Sequence, residues 1–357
     1  GWKFSFSGNV NVFAVFSADA NSGQKNFNIR TGLLPGFVVF DAKGHEGNYD
    51  LGVHVGFAPQ IQNAGQEHDA LAQIDMRQLY LTVGMKNGGT LLAGRELGVF
   101  QRQNILNDMT LYGTGALGPV QGGGTTLGRI GYGYTYPNFN AQITYSTSAA
   151  KPTQITIGLF QPSVTPNNGF TVLPRVEAEL THSMKRGGGK NASLWVGGEL
   201  QNTKSAPTGG TSLTAIGVAG GIRADLTPTL NLTVAAYYTK GVGSTFQFGS
   251  GGDGEADATH GRPAMGGYAQ LLYKMNPTTQ LGASWGISEL KGASTDPTTG
   301  ELGQFSSYTV GWYHNMTKSL KTVVEGTREI NDLGGLIAFP AGGNNRTDVS
   351  AGLMLFF

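Results

Sequence analysis

Asn48-Tyr49-Asp50-Leu51-Gly52-Val53-His54-Val55-Gly56-Phe57 changes character at every step. Tyr49, Leu51, Val53, Val55 and Phe57 share one face. Asn48, Asp50, Gly52, His54 and Gly56 share the other. A period of two is the signature of a strand, and no helical period survives this alternation. The rhythm recurs from end to end. Phe4, Phe6, Val10, Val12 and Phe16 oppose Lys3, Ser5, Ser7, Asn9 and Asn11. At the carboxyl end, Val349, Ala351, Leu353, Leu355 and Phe357 oppose Asp348, Ser350, Gly352 and Met354.

Composition narrows what such strands can build. The 357 residues include 57 glycines, and only 13% are charged against 39% hydrophobic. Soluble domains carry about 25% charged residues. Low charge with modest hydrophobicity suits a wall with half its positions on lipid and half on water. No stretch approaches the ~18 consecutive apolar residues of a membrane helix. The richest patch, Gly32 to Phe40, is broken by Pro35 and Gly36. These features predict one all-β domain over residues 1–357, a transmembrane antiparallel β-barrel with a wet interior. The absence of cysteine fits an exported protein, and the direct start on a strand reads as a mature, processed form. A formal net charge of +1 gives no support for nucleic-acid binding.

The connections alternate in length. Tight ones are expected at Asp41–Gly44, Lys86–Gly89, Leu226–Thr229, Asn276–Thr279 and Met316–Ser319. Long ones are expected at Ala58–Ala70, Leu97–Thr126, Gly241–Gly261, Ser288–Gly300 and Asn331–Asn345. Short turns on one rim and long loops on the other give about sixteen strands. Between Gly128 and Phe160 either two or three strands fit, and parity favours two. Small inward residues such as Gly197, Gly282, Ser284 and Gly286 are expected to keep a lumen open. Tyr136, Phe139, Tyr238, Tyr268, Tyr273, Tyr313, Phe356 and Phe357 near strand ends suggest aromatic girdles.

Ala93-Gly94-Arg95-Glu96-Leu97-Gly98-Val99-Phe100 follows a tight turn and a short strand, then runs on through Gln101 to Met109. With Arg77-Gln78-Leu79-Tyr80, Tyr134-Thr135-Tyr136-Pro137-Asn138-Phe139 and the terminal Phe357, it resembles the Gram-negative general porins. Pro174-Arg175-Val176-Glu177 and Gly158-Leu159-Phe160-Gln161-Pro162 are similar to the branch that includes dicarboxylate porins, although the long amino-terminal coiled coil of some members is missing. The resemblance implies a third loop, residues 97–126, folded into the pore as a constriction. It implies a homotrimer in the bacterial outer membrane, in contact with lipid and lipopolysaccharide, that passes small hydrophilic solutes and needs no cofactor.

On that reading Glu96 and Asp108 supply negative charge at the constriction, Arg77, Arg95 and Arg129 face them from the wall, and Arg102 lies on a short helix in the loop. Opposed charges across a narrow wet gap set up a transverse field that sorts ions by sign. Salt bridges tying the loop to the wall are the plainer role for Arg95, Arg102 and Asp108. Arg77 shares parity with Leu79, Leu81, Val83 and Met85, against Ile74 and Met76, a conflict that either a bulge near it or a wall partly covered by the inward loop would reconcile. Arg30, Asp50, Arg175, Glu177, Glu179, Arg223 and Asp348 are further inward candidates. Basic residues predominate near the loop, which predicts a mild anion preference.

Catalytic signals are poor. Gly282-Ala283-Ser284-Trp285-Gly286 spells a nucleophile elbow, but inside a strand rather than on a strand-to-helix turn. Asn191 stands where a phosphate loop after Lys190 needs Ser or Thr. Asp253, Glu255 and Asp257 lack calcium-loop spacing and read as a solvated loop. A barrel enzyme, or a surface receptor or adhesin working through its loops, is the alternative to a channel.

Overall fold

The structure is a computed structural model that describes residues 1–20, 22–61, 74–86, 88–118, 124–248, 253–333 and 345–357. Among these residues are seventeen strands: β1 (Lys3–Asp19), β2 (Lys25–Arg30), β3 (Phe37–Glu46), β4 (Tyr49–Pro59), β5 (Ile74–Met85), β6 (Thr90–Leu97), β7 (Phe139–Ser146), β8 (Thr153–Phe160), β9 (Arg175–Arg186), β10 (Lys190–Lys204), β11 (Ser212–Asp225), β12 (Leu230–Lys240), β13 (Pro263–Asn276), β14 (Thr279–Lys291), β15 (Glu301–Asn315), β16 (Leu320–Leu333) and β17 (Arg346–Phe356). All ladders are antiparallel, and β1 pairs with β17, which closes the sheet. β2 covers Phe13–Ala18 of β1, while β3 covers Lys3–Asn9. The two therefore share one position in the wall, and the barrel has sixteen staves, as the sequence pattern predicts. The seam is locked where Gly8 and Phe357 exchange backbone hydrogen bonds of 3.0 and 3.1 Å.

Alternation sets the two faces. Along β1, Asn9, Asn11 and Phe13 are buried inward, while Val10, Val12 and Phe16 stand exposed on the outside. An apolar outer band on a closed sheet suits hydrocarbon, where an open edge would strand backbone donors and acceptors. The wall is uneven in height. β6, β7 and β8 have 8 residues each. β10 and β15 have 15. One helix, α1 (Arg102–Leu106), and a 3-10 turn at Met109–Tyr112 lie in the connection between β6 and β7.

Several expectations are corrected. Asp41–Gly44 is no turn; it lies inside β3, and the chain reverses at Gly47-Asn48, where Gly47 takes φ 60°. The connection after β6 does not stop at Thr126 but runs to Asn138. Gly128–Phe160 yields two strands, as parity favoured, both after Asn138. Only part of the aromatic set faces out. Tyr238, Tyr273 and Phe357 do, whereas Tyr268 and Tyr313 are buried inside and Tyr136 lies in the connection. The expectations on residues 62–70, Asn87, 119–123, 249–252 and 334–344 fall outside the described residues.

Candidate functional site

The described parts of the connection between β6 and β7, residues 98–118 and 124–138, lie inside the barrel. Its apolar side chains Phe100, Ile105, Ile130 and Tyr134 form one buried cluster with Trp195, Tyr237 and Tyr268 of the wall. Polar groups fix it at each step. Glu177 accepts from the backbone N–H of Val99 (2.7 Å) and Phe100 (2.8 Å). Trp195 Nε1 donates to Asn104 Oδ1 at 2.7 Å. Gln270 accepts from Met109 N and donates to Asn107 O. Glu325 takes the N–H of Thr114 (2.7 Å) and Gly115 (2.8 Å) along with the Tyr313 hydroxyl. Glu329 accepts from Leu117 N and Tyr132 Oη.

Small inward residues of the wall make room for these contacts. A Cβ on Gly217 would come within 2.6 Å of the Phe100 ring, and one on Gly282 within 2.6 Å of Met109 Sδ. One on Gly286 would land on the Tyr132 carbonyl oxygen. Of the glycines expected to hold the lumen open, Gly282 and Gly286 instead berth the connection, while Gly197 abuts only the backbone and Cβ of β9.

The wall from β3 to β6 meets it only at the edge, through Arg77 and Leu97 among the described residues. Asp41, His54 and Tyr80 stand in one cross-strand row, continued by Gly94. His54 Nδ1 lies 2.8 Å from Asp41 Oδ1, and the imidazole stacks on Tyr80 with centroids 4.7 Å apart. Gln78 Nε2 donates to Glu96 at 2.8 Å. All these side chains point inward and keep partial solvent access.

The sequence candidates divide accordingly. Arg77 is the extra residue of a bulge, where Gly56 pairs with Gln78 and Phe57 with Met76. This is one of the two arrangements its parity conflict allowed. Its guanidinium reaches Asp75 (2.9 Å) and the Tyr136 hydroxyl (3.2 Å) and lies over Phe139. Glu96 faces inward. Arg102, a quarter exposed, donates to Glu179 at 2.7 Å.

Three expected positions change. Arg95 is paired with Leu79 and Ala141 on the outer face, so it cannot line the lumen. Arg129 belongs to the connection rather than the wall; it is fully buried and donates to Ser284 Oγ and to Ser307. Asp108 is also buried, accepting from Thr110 and Tyr134, and presents no charge to a passage.

Arg30, Arg175, Glu177, Glu179 and Asp348 point inward but are buried among fixed partners. Arg30 donates to Gly124 O, and Arg175 pairs with Glu177 between the Phe160 and Phe248 rings. Asp50 is inward and exposed beside His45 at the short-turn end. Sequence reasoning missed Glu325, Glu329 and Arg346. Their alternation with outward Val324, Arg328 and Thr347 was the available signal.

No family model matches this chain, and no curated protein does. Solved structures do match along the whole of it. The outer membrane channel DcaP of Acinetobacter baumannii superposes with a TM-score of 0.71 at 17% identity, covering 100% of this chain and 98% of that one. An anion-selective porin from Comamonas acidovorans gives 0.69 at 14% identity, covering 100% of both. Salmonella typhi OmpF gives 0.64 at 13%, covering 100% of this chain and 98% of that one. Matches along the whole chain show the fold alone, and the chain has the general Gram-negative porin-like fold.

Proposed function

We propose that the chain forms a water-filled channel in the bacterial outer membrane, through which small hydrophilic solutes and ions diffuse passively with a mild preference for anions. The observation that carries this reading is the inward connection, which packs along β9–β17 and leaves the side chains of β3–β6 in contact with solvent. A passage narrowed from one side follows, with Arg102 on the connection and Asp41 and Glu96 on the uncovered wall. Such opposed charges filter by sign. The preference for anions rests on where the carboxylates are used. Glu177, Glu325 and Glu329 are buried in holding backbone N–H groups, while Arg102, paired with the buried Glu179, keeps a quarter of its side chain in solvent.

A homotrimer fits the outer face where β17, β1 and β3 meet. Phe6 packs with Phe40 and Phe357 at centroid distances of 5.2 and 5.3 Å, and Phe4 and Phe6 stand exposed. Arg95 stands outward on the short strand β6. A cation facing hydrocarbon at the midplane of a barrel costs about 2–4 kcal/mol, which a subunit contact would relieve. A catalytic reading gains nothing from the Asp41–His54 pair, because His54 Nε2 has no hydrogen-bond partner among the described residues.

A planar-bilayer recording under a salt gradient tests the proposal. Stepwise conductance is expected, with a reversal potential of the sign for modest anion preference. Glu96→Gln should strengthen that preference, Arg102→Gln should weaken it, and Arg95→Ala should leave it unchanged. Folded protein that shows no steps would overturn the channel reading.

A further inference from the structure

The lysines and arginines of the barrel are unevenly placed. Lys3, Lys43, Lys185, Arg223, Lys274 and Lys321 lie on β1, β3, β9, β11, β13 and β16, spread around the barrel. Each sits within a few residues of the short-turn end of its strand. At ~3.3 Å per residue, that is roughly 10 Å from the rim. Cross-strand register turns all six inward. Arg223 pairs with buried Thr233 and Lys321 with buried Met354. Lys185 pairs with Asn191, Lys274 with Gln280, and Lys3 with Lys43.

None of the six has an ion-pair partner among the described residues, and all but Lys321, which lies 4.3 Å over the Tyr112 ring, are exposed. The inward carboxylates at the same end, Asp50 and Asp225, are fewer than the six cations and keep their charge, so the mouth carries an excess of positive charge. Asp50 lies 2.8 Å from His45, and Asp225 accepts from Asn231 (3.0 Å) and Asn191 N (2.9 Å). Lys3 and Lys43 are moreover direct cross-strand neighbours, an arrangement of like charges that weakens a sheet unless an anion sits between them.

Resting on the channel reading above, we infer that the short-turn mouth is a binding site for polyvalent anions, with oligophosphate-like solutes as the ligand class. Six cations around one low-dielectric opening focus field lines and raise the local concentration of such a ligand. Lys3 and Lys43 give it a bridging contact. The opposite mouth has no matching ring among the described residues, so capture is one-sided.

Inorganic tripolyphosphate added to one side of an oriented single channel tests this. Block of the monovalent-ion current is expected several-fold more strongly from the short-turn side. It should fade as ionic strength rises and the screening length shrinks. The double variant Lys3→Gln, Lys43→Gln should lose most of the sidedness, while Lys190→Gln, on the outer face, should keep it. Equal block from both sides, or sidedness retained in the double variant, overturns the inference while leaving the channel intact. Absence of any current would instead overturn the channel reading on which it rests.

Discussion

The tall wall, β9 to β17, and the low wall, β3 to β8, obey the same alternation but use their inward positions for opposite ends. On the tall wall those positions hold Glu177, Trp195, Gln270, Glu325 and Glu329, each bonded to the connection, with Gly217, Gly282 and Gly286 interleaved to admit it. On the low wall Asp41, His54, Gln78, Tyr80 and Glu96 bond mainly to one another and face water. Identical strand patterning can therefore build a socket or a conduit surface. What decides is whether an acceptor has a backbone donor within reach or only its neighbours.

The largest effect is expected from removing a socket acceptor. Glu325→Ala strands the N–H groups of Thr114 and Gly115 and the Tyr313 hydroxyl, each at about 1–3 kcal/mol. The connection should loosen, and single-channel records should show a larger, noisier conductance. If the trace stays quiet and unchanged in size, the contrast between the two walls is wrong. A smaller effect comes from the glycine berth. Gly286→Ala pushes a methyl onto the Tyr132 carbonyl oxygen and should lower the unfolding temperature at a cost of ~1–3 kcal/mol. Gly326→Ala, outward and 3.8 Å from its nearest neighbour, should be close to neutral.

The smallest effect concerns the long-loop rim, outside both walls. Arg262 makes two hydrogen bonds to Asp296, of 2.9 and 2.8 Å, and these hold that carboxyl below its usual range. The folded form thus favours the carboxylate. Its contribution is complete above the ordinary aspartate pKa of about 4. It fades only as pH falls through the lowered value. Protease nicking near residues 292–300 should rise at acid pH in the native protein. In Asp296→Asn it should be raised at every pH.

The barrel itself was legible because lipid and water impose a two-residue rhythm that no other solvent pair would leave so plainly. The conflict of parity at Arg77 allowed either a bulge or a covered wall, and the register shift between Gly56 and Phe57 is the bulge. Residues 127–138 misled for a physical reason. Ile130, Tyr132 and Tyr134 alternate as strand residues do, but Gly128 and Gly131 take left-handed φ of 58° and 76°, and the segment coils within the barrel. Arg95 misled because its motif was read by resemblance, whereas its pairing with Leu79 was implicit in the parity of β5 and β6. Glu177 was read as a lumen charge, and Glu325 and Glu329 were missed, because sequence shows at most that a glutamate faces inward, not which donor it will meet.

The interruption between β2 and β3 has a mechanical consequence. There Leu33 N donates to Gly113 O, Thr126 N donates to Gly32 O, and Asn11 clasps Gly32 N and Leu34 O. The plug-like segment is thereby stitched into the stave itself, like a rung shared by frame and door. It cannot swing aside as a flap without unzipping the cylinder, so the aperture should be a fixed bore, set once at folding and insensitive to whatever passes.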